Sequence, residues 1–551
     1  MSTARRDNLQ IEGNAPQSPG DPPSGQMWFT DHMLFHYYRC SRRVYLDSYG
    51  DTTLKDAPSD YFVKLREDSA EHRAAILAQF KPLKRPVFER NAWEAGAKAT
   101  YEMMANGVET IHRGVLIAQG PDDILYRTEP DVLVKCVGES WLGDWYYVPH
   151  NVKLGKKPKP EYQLVAAFNA YVLAETQGVW PEMAGLFLKE KQYAVNLERY
   201  VPKLQAALDD CLNIQDGVLT MSVPPEVFIS RSRCDMCPWL GHCYQEAKDT
   251  NHLSLLPGVT KKRYPTLVEM GITTVEALAK VQPTQLAYSL EVEQPVTEKM
   301  IFQAQAQWTG EAVSRLHSGH STPSQFSLTP VDLPTADIDL YFDIEAAPDK
   351  DLIYLHGVLA VDNRTQAETF HALIAETPDG EESAWFEFLA LVDSYPDSPI
   401  YHFCPYEAQT VRRLSELYGD RNVNIDALLD RFVDIHKRVV DAVALPVESY
   451  ALKHLARWMG FEWRDQDANG AQSICWYDDW LRTGDRAYLN TILRYNEDDC
   501  RATYRVKAWL VKFAQEFWSQ QEVEDSLNKS PHSPALFLST LEKNAQRMRL
   551  P

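Results

Sequence analysis

The sequence predicts a multidomain α/β protein, and three observations support this fold class. Its 551 residues correspond to several domains of about 100 to 200 residues each. Hydrophobic residues make up 44% of the chain, which is enough for sizeable cores. Stretches of alternating apolar and polar residues, such as 337 to 347, predict strands. Segments whose apolar residues recur every three or four positions, such as 492 to 510, predict helices.

Changes in composition divide the chain into six predicted segments. The first 26 residues contain APQSPGDPPSGQ and lack an apolar core, so we expect a disordered tail and not a signal peptide. The later boundaries follow breaks in hydrophobic periodicity. They delimit an α/β domain at 27–248, a small helical connector at 249–308, a linker at 309–334, a mixed-sheet α/β domain at 335–520 and a C-terminal tail at 521–551.

Charge and cysteine content restrict the possible functions. A net charge of -21 argues against a grip on nucleic acid over the whole surface, so that such contact would depend on local basic patches. No run of about 18 apolar residues is present, so we expect no membrane span. Nine cysteines without a secretion signal indicate a reducing cytoplasm, where clustered thiols bind metal.

Four of the cysteines form a candidate metal site in the first domain. Cys40 lies in a predicted amphipathic helix, and Cys234, Cys237 and Cys243 follow in a C-x2-C-x5-C tract. Four thiolates can hold a tetrahedral zinc ion or a [4Fe-4S] cluster, and the residues alone leave both open. His242 would be a ligand only if one cysteine did not reach the metal.

One early cysteine followed by three clustered ones is similar to the iron-sulphur clasp of RecB-like nucleases of the PD-(D/E)xK type. This resemblance implies a restriction-endonuclease-type fold, a [4Fe-4S] cluster and a second metal site between the cysteines. The matching residues are His72, Asp131, Asn151 and Lys153. Because Asn151 is an amide where that family has an acid, we expect a weakened or inactive site in a domain that binds nucleic acid. His72 taken alone is more typical of a surface position on a helix.

Two basic segments are candidate phosphate contacts. Lys156, Lys157 and Lys159 form a compact patch next to two prolines, although a solvated charged loop has the same composition. The connector carries Lys261, Lys262 and Arg263 after an LPGV turn. This connector resembles a helix-hairpin-helix element, which implies backbone N–H groups presented to a phosphate.

The predicted strand at 337–347 carries two acidic residues on one face. Asp343 and Glu345 are two positions apart, and Phe342 and Ile344 alternate with them. Neighbouring carboxylates repel each other, which favours a divalent cation between them. The alternative is an edge strand whose polar face lies in water.

Two later segments add acidic residues in a regular order. Glu407 lies near the start of a helix that follows a short apolar strand and Pro405. Tyr495 and Asp499 are four residues apart and therefore share one face of a predicted helix. The adjacent acid Asp498 is the competing ligand. The spacing of four residues between Tyr495 and Asp499 favours Asp499. Phosphodiester hydrolysis by two divalent ions about 3.5 to 4 Å apart requires such oxygen ligands.

This order of acids over residues 335 to 515 resembles the 3′-5′ exonucleases of the RNase H-like superfamily with four acidic ligands, the DEDD type. The resemblance implies that Asp343, Glu345, Glu407 and Asp499 hold two Mg²⁺ or Mn²⁺ ions and that Tyr495 orients the attacking water. Glu407 stands where that family usually has Asp. The whole chain resembles RecB-like nucleases fused to a YprB-type exonuclease domain.

The sequence therefore predicts a metal-dependent 3′-5′ exonuclease acting on DNA or RNA. Basic residues after the acidic strand and the aromatic residues Trp458, Phe461, Trp463 and Trp476 favour single-stranded nucleic acid, although such aromatics are also typical of a core. Two alternatives remain open: a non-enzymatic nucleic-acid-binding scaffold, and a nuclease whose active site is in the first domain.

Overall fold

The computed structural model describes residues 28–121, 124–219, 224–316 and 324–529. The predicted tail at 1–26 and residues 530–551 of the predicted C-terminal tail lie outside these ranges. The chain divides into two compact units, Met1–Asp249 and Thr250–Pro551, which are considered separately below. No helix in the described ranges is both long enough and apolar enough to cross a bilayer.

The first unit combines helices with two sheets. Its helices are α1 (Asp31–Arg39), α2 (Ser41–Tyr49), α3 (Asp60–Leu77), α4 (Trp93–Ala105), α5 (Pro160–Gln177), α6 (Leu197–Leu219), α7 (Arg231–Cys234) and α8 (Leu240–Asp249). Its strands are β1 (Trp28–Thr30), β2 (Thr110–His112), β3 (Leu116–Gln119), β4 (Leu125–Thr128), β5 (Val132–Ser140), β6 (Gly143–Val152), β7 (Ala184–Phe187) and β8 (Gln192–Val195). The sheet orders are β1-β4-β3 and β2-β5-β6-β7-β8.

Helix α5 organises the first unit. It links the parallel strands β6 and β7 and is buried on almost every side, so its sequence is apolar without a marked polar face. Pro160 at its start has a φ already suited to a helix, and Gly178 ends it in the left-handed conformation. The antiparallel pairing of β5 with β6, in which Val132 is opposite His150, places Asp131 near the end of β6, where Asn151 lies and after which Lys153 follows.

The segment around Cys40 differs from the prediction of one amphipathic helix. Strand β1 precedes α1, and Cys40 lies between α1 and α2 in an extended conformation with φ -161° and ψ 113°. No glycine or proline marks this break in the sequence. Each short helix instead buries its own apolar residues, Leu34 in α1 and Val44 in α2, so tertiary packing determines where the chain turns.

The second unit contains a helical segment followed by a mixed sheet with helices. Its helices are α9 (Tyr264–Glu269), α10 (Val275–Ala279), α11 (Pro283–Leu290), α12 (Gln294–Thr309), α13 (Glu381–Asp393), α14 (Tyr406–Tyr418), α15 (Ile425–Leu429), α16 (Ile435–Ala442), α17 (Leu452–Trp458), α18 (Gly470–Thr483) and α19 (Arg486–Lys529). Its strands are β9 (Val313–Ser314), β10 (Ile338–Ala347), β11 (Leu352–Asp362), β12 (Glu368–Ile374), β13 (Ile400–His402), β14 (Phe432–Asp434) and β15 (Val443–Ala444).

The acidic strand β10 lies in the middle of a five-stranded sheet with the order β12-β11-β10-β13-β14. It pairs antiparallel with β11, where Asp343 is opposite Gly357, and parallel with β13, where Leu340 is opposite Ile400. One apolar face of β10 packs with Trp385 of α13, and the opposite face packs under α19. The edge-strand alternative for this segment is therefore wrong.

Two other segments differ from their predictions. Residues 313–314 of the predicted linker form β9, which pairs with β15, and Leu328 and Leu333 are buried in the same core. Isolated apolar contacts of this kind produce no hydrophobic periodicity in the sequence, so the sequence pattern does not predict them. For residues 431–440, RFVDIHKRVV, the sequence pattern predicts a helix. The segment instead begins with the parallel strand β14, and the side chain of Asp434 then caps α16 by accepting a hydrogen bond from the Lys437 amide.

Candidate metal centre

Three carboxylates of the second unit converge on one point. Asp343 and Glu345 point from the same face of β10, and α19, which packs across β10 and β11, contributes Asp499. One oxygen from each of these three residues lies within 4.8 Å of the other two, and all three groups are carboxylates. Within the described ranges, these three residues form the group of potential ligands that is compact enough to hold a metal ion. Oxygen donors at this spacing suit a hard divalent cation.

Asn496 fixes the first of these carboxylates. Its side-chain Nδ2 donates a hydrogen bond of 2.7 Å to Asp343 Oδ2, and Asn496 itself is completely buried. The side chain fits because Gly357, opposite Asp343 on β11, has no Cβ. A Cβ at that position would lie 1.6 Å from Asn496 Oδ1. Sequence reasoning missed Asn496, although a glycine inside an apolar strand is a signal of close approach by another group.

Trp463 fixes Asp499. Its indole Nε1 donates a hydrogen bond of 2.6 Å to Asp499 Oδ1, and the side chain is only 3% exposed. The proposed role of Trp463 as a stacking platform for bases is therefore wrong, because the ring is inside the core and its N–H is used. The Lys453 ammonium lies 5.4 Å from the centre of the Trp463 ring and 5.3 Å from that of Tyr495. It makes no hydrogen bond or ion pair in the described ranges.

Burial and mutual repulsion raise the pKa values of the acidic group. Burial, then the charges of Asp499, Glu345 and Glu407, raise the pKa of Asp343 well above its usual value. Burial and the charge of Asp499 raise the pKa of Glu345 to about 8. Burial raises the pKa of Asp499 to about 6, although hydrogen bonds from Trp463 and Tyr495 oppose the increase. Without a cation, the group therefore holds protons near neutral pH, and a bound metal would displace them.

Tyr495 is a hydroxyl donor beside these acids. The side chain is buried, and burial followed by the charges of Asp499, Glu345 and Asp343 raises its pKa far above 10. The phenol thus stays protonated at any physiological pH and can donate a hydrogen bond, as it does to Asp499.

Glu407 lies beside the three converging carboxylates and outside their compact group. It is in the first turn of α14, is 4% exposed and has one oxygen, Oε2, without a hydrogen-bond partner. This oxygen lies 3.4 Å from His402 Nδ1, whose shorter contact, at 2.6 Å, is with the carbonyl oxygen of Cys404. Burial raises the pKa of Glu407, and its charge in turn raises the pKa of Asp343. An unsatisfied buried carboxylate oxygen of this kind requires a ligand or a proton.

Asp498, the competing acid, has a structural partner. Its two oxygens accept hydrogen bonds from the Arg464 backbone N–H at 2.9 Å and from Arg464 Nε at 2.8 Å. Of these adjacent acids, only Asp499 joins the compact group.

In the predicted second site, in the first unit, the side-chain oxygens of Asp131 and Asn151 are paired. Asp131 Oδ2 accepts a hydrogen bond of 2.7 Å from the Val152 amide, and its Oδ1 lies 2.8 Å from Arg73 Nε. Asn151 Oδ1 accepts a hydrogen bond of 2.7 Å from Asn169 Nδ2. The oxygens expected to bind metal are thus used by protein donors.

Lys153, the cationic member of that predicted site, lies near two acidic residues. Burial lowers the pKa of Lys153, while the nearby charges of Asp131 and Asp31 oppose this effect. Sequence reasoning missed Asp31, at the start of α1, because nothing in its local pattern links it to Lys153. His72 lies on α3, beside Arg73, and its Nε2 is buried without a hydrogen bond.

The four predicted cluster cysteines line one pocket. Cys40, Cys234, Cys237 and Cys243 surround it together with Arg42 and other side chains. All nine cysteines of the chain are free thiols. Burial raises the pKa values of Cys234, Cys237 and Cys243, that of Cys243 to about 11, while Arg42 opposes the increase at Cys243.

The basic residues predicted to contact phosphate differ in whether they already interact with other groups of the protein. Lys156 pairs with Glu190 at 2.6 Å, and Lys159 lies over the ring of Tyr162. Arg263 Nη1 donates a hydrogen bond of 2.8 Å to the Gly258 carbonyl. The remaining members, Lys157, Lys261 and Lys262, are exposed.

Comparison with known proteins agrees with the sheet topology of the second unit. No curated protein matches the chain. The family model RNase_H_2, of the RNase_H superfamily, matches residues 340–511, which include β10 and the part of α19 that carries Asp499. Nucleases of this kind use divalent metals and act on nucleic acid. Residues 340–511 therefore form an RNase H-like domain, which is consistent with a nuclease.

Proposed function

We propose that this protein is a metal-dependent 3′-5′ exonuclease that hydrolyses phosphodiester bonds of DNA or RNA in its RNase H-like domain. The observation that carries the proposal is the convergence of Asp343, Glu345 and Asp499 within 4.8 Å on that domain. Together with Glu407 they would hold two Mg²⁺ or Mn²⁺ ions. The donor set fits, since it consists of four carboxylates, whose oxygens are the ligands that hard divalent cations prefer.

When bound, the ions would activate water and neutralise charge on the phosphodiester. Around them, Asn496 and Trp463 keep the first and last carboxylates in fixed orientations through hydrogen bonds of 2.7 and 2.6 Å. Tyr495, protonated because of its buried acidic surroundings, donates to the attacking water or to Asp499. Positioning of this kind accounts for much of the catalysis expected at such a site.

Lys453 is a candidate contact for the scissile phosphate. Its ammonium lies over the rings of Trp463 and Tyr495, and burial lowers its pKa while the charge of Asp499 opposes this decrease. A cation without a hydrogen-bonded acid at the edge of a metal site is available to an oxyanion of the substrate.

We propose that the first unit is a RecB-like domain that binds nucleic acid and has a weak or inactive site. In support, its strands β5 and β6 and helix α5 lead into the parallel strand β7, with Asp131 before β5 and Lys153 after β6. The amide of Asn151 replaces a charged ligand, and the oxygens of Asp131 already have partners.

We propose that the four cysteines of that unit hold a [4Fe-4S] cluster in a reducing compartment such as the cytoplasm. In support, the four thiols line one pocket, and one early cysteine before three clustered ones resembles the iron-sulphur clasp of RecB-like nucleases. An anaerobic preparation should contain about four irons and four labile sulphides per chain; one zinc without sulphide would contradict this proposal.

The nuclease proposal is tested with the purified protein, Mg²⁺ or Mn²⁺, and single-stranded and duplex DNA and RNA labelled at either end. We expect mononucleotides to be released first from the 3′ end. Binding without any metal-dependent cleavage of the four substrates would contradict the proposal and favour a non-enzymatic scaffold. Release that begins at the 5′ end would contradict the polarity.

A further inference from the structure

The second unit contains a cavity that is separate from the carboxylate group. Its volume is about 260 Å³, and its walls include Arg263, Lys299 and Arg315 together with Met300 and Tyr450. None of the four proposed metal ligands lines it. Its lining comes from the helical segment, from Arg315 just after β9, and from α16, β15 and the loop that follows, which all belong to the same unit.

Arg315 is the unusual member of this cavity. Its side chain is 6% exposed, and its Nε is buried without a hydrogen-bond partner. The backbone is fixed, because the Arg315 N–H donates a hydrogen bond of 2.9 Å to the Ala442 carbonyl. Burial lowers the pKa of Arg315, while Tyr450 and Asp441 oppose this decrease. A buried guanidinium without hydrogen-bonded partners is costly unless an anion accompanies it.

The other charged groups facing the cavity leave it positive. Lys299 is half-exposed, and its Nζ is 4.0 Å from Asp441 Oδ1, so that pair is loose. The second oxygen of Asp441 accepts hydrogen bonds from Ser324 Oγ at 2.7 Å and from the Gln325 amide at 2.5 Å. Asp441 does not line the cavity and is already engaged, whereas the walls carry three cations.

The remaining wall is mainly apolar. Tyr450 contributes its ring, because its hydroxyl already donates to Gln303 Oε1 at 2.6 Å and accepts from the Leu445 amide. Met300 and Val296 complete this side. The volume is slightly below the range of about 300 to 1,000 Å³ for small-molecule sites, so a ligand with one anionic group and a small organic body fits.

We infer that this cavity binds a phosphate ester, with the phosphate on Arg315, Lys299 and Arg263 and the organic body against Tyr450 and Met300. Arginine suits this ligand because its planar fork of N–H donors matches phosphate oxygens. The same chemistry is offered by a free mononucleotide and by a backbone phosphate of a polynucleotide. This site is additional to the proposed nuclease centre and does not depend on it.

The test is calorimetry on the full chain in EDTA at constant ionic strength, which leaves the carboxylate group without metal. The probes are inorganic phosphate, adenosine 5′-monophosphate, unphosphorylated adenosine and a single-stranded oligonucleotide, the last also as a competitor of the monophosphate. The variants are Arg315→Met and Lys299→Ala. Lys512→Ala is the matched control, since it removes one positive charge from an exposed helical position outside the cavity.

We expect saturable binding of the phosphate-bearing probes and none of adenosine. Arg315→Met should weaken binding at least about tenfold, Lys299→Ala less, and Lys512→Ala not at all. Without ligand, Arg315→Met should keep or raise the Tm, because it removes an uncompensated buried charge. If that variant does not fold, the comparison of Lys299→Ala with Lys512→Ala decides.

Displacement of the monophosphate by the oligonucleotide identifies backbone phosphate as a ligand, whereas no displacement identifies free nucleotide; both support the site. The inference is overturned if no probe binds saturably, if adenosine binds as well as its monophosphate, or if Arg315→Met, or Lys299→Ala in its place, retains wild-type affinity. Because metal is absent, failure of the nuclease proposal would not affect these results.

Discussion

The two units contain similar sets of polar residues on strands but use them in opposite ways. In the second unit, one oxygen from each of Asp343, Glu345 and Asp499 lies within 4.8 Å of the other two, and none of the three carboxylates forms an ion pair within the described ranges. In the first unit, Asp131 is already paired with Arg73 and the Val152 amide, and an amide stands at position 151. Repelling carboxylates require a cation, whereas paired ones do not. An ion pair with a basic side chain, Arg73, distinguishes the acid of the first unit from the converging carboxylates of the second, whose partners Asn496 and Trp463 are neutral.

The largest effect should follow from removing one carboxylate of the second unit. Asp343→Asn keeps the shape and the hydrogen bond acceptor but removes the charge, so we expect the hydrolysis rate to fall about 100-fold or more. Substrate binding should persist. The measurement is the rate of mononucleotide release from an end-labelled single strand at saturating metal.

A matched control lies on the same segment. Asp337, just before β10, is exposed and pairs with Arg364, so Asp337→Asn makes the same chemical change away from the centre. It should retain wild-type activity. If Asp343→Asn were as active as Asp337→Asn, the contrast between the two units would lose its basis.

A smaller effect is expected from disturbing a group that only positions the ligands. Gly357→Ala places a Cβ where Asn496 Oδ1 now lies, so Asn496 must move and lose its hydrogen bond to Asp343. We expect metal affinity to fall about 10- to 100-fold, as for other groups that orient ligands. Titration with Mn²⁺ measures the affinity, and higher metal concentrations should restore part of the activity. Loss that no metal concentration restores would indicate damage to the fold instead.

Glu407 tests how far the centre extends. It lies outside the compact group, although its Oε2 is buried and unsatisfied. If it holds the second ion, Glu407→Gln should reduce the rate about tenfold or more and lower the number of bound Mn²⁺ ions from two to one. An unchanged stoichiometry would restrict the ligands to the other three carboxylates.

The pH dependence of stability should also distinguish the metal-free centre from the metal-bound centre. The pKa of Glu345 is raised to about 8 and that of Asp499 to about 6, so the folded metal-free protein binds more protons than the unfolded chain above pH 5. Its stability should therefore decrease as the pH rises from about 5 to 8, by a few degrees in Tm. Divalent metal should remove this decrease, and Glu345→Gln should reduce it. Thermal melts at several pH values, with and without Mg²⁺, provide the measurement.

Sequence reasoning predicted the parts of the site that follow from local periodicity. The alternation around Asp343 and Glu345 identified strand β10, and the spacing of Tyr495 and Asp499 identified one face of α19. It did not predict the roles that Asn496, Trp463 and Arg315 have in the structure, because these roles depend on contacts with residues far away in the sequence. The hydrogen bond from Trp463 to Asp499 spans 36 positions, and no pattern within either segment indicates it.

In the first unit, too, local sequence patterns did not predict contacts between residues far apart in the sequence. The spacing of the cysteines suggested that Cys40 would meet the later tract, and the four thiols do line one pocket. The partners of Asp131, which decide whether it can bind metal, come from α3 and from the end of β6. Motif matching identifies such residues, but only their neighbours determine whether their oxygens are available.

The most direct test of the central claim is the number of Mn²⁺ ions bound per chain, measured by electron paramagnetic resonance together with mononucleotide release in the same samples. The samples are the wild type, Asp343→Asn and Lys153→Ala. We predict two bound ions and full activity for the wild type and for Lys153→Ala, and loss of both bound metal and activity for Asp343→Asn. Loss of bound metal or activity in Lys153→Ala, with Asp343→Asn unaffected, would place the catalytic centre in the first unit and contradict this account.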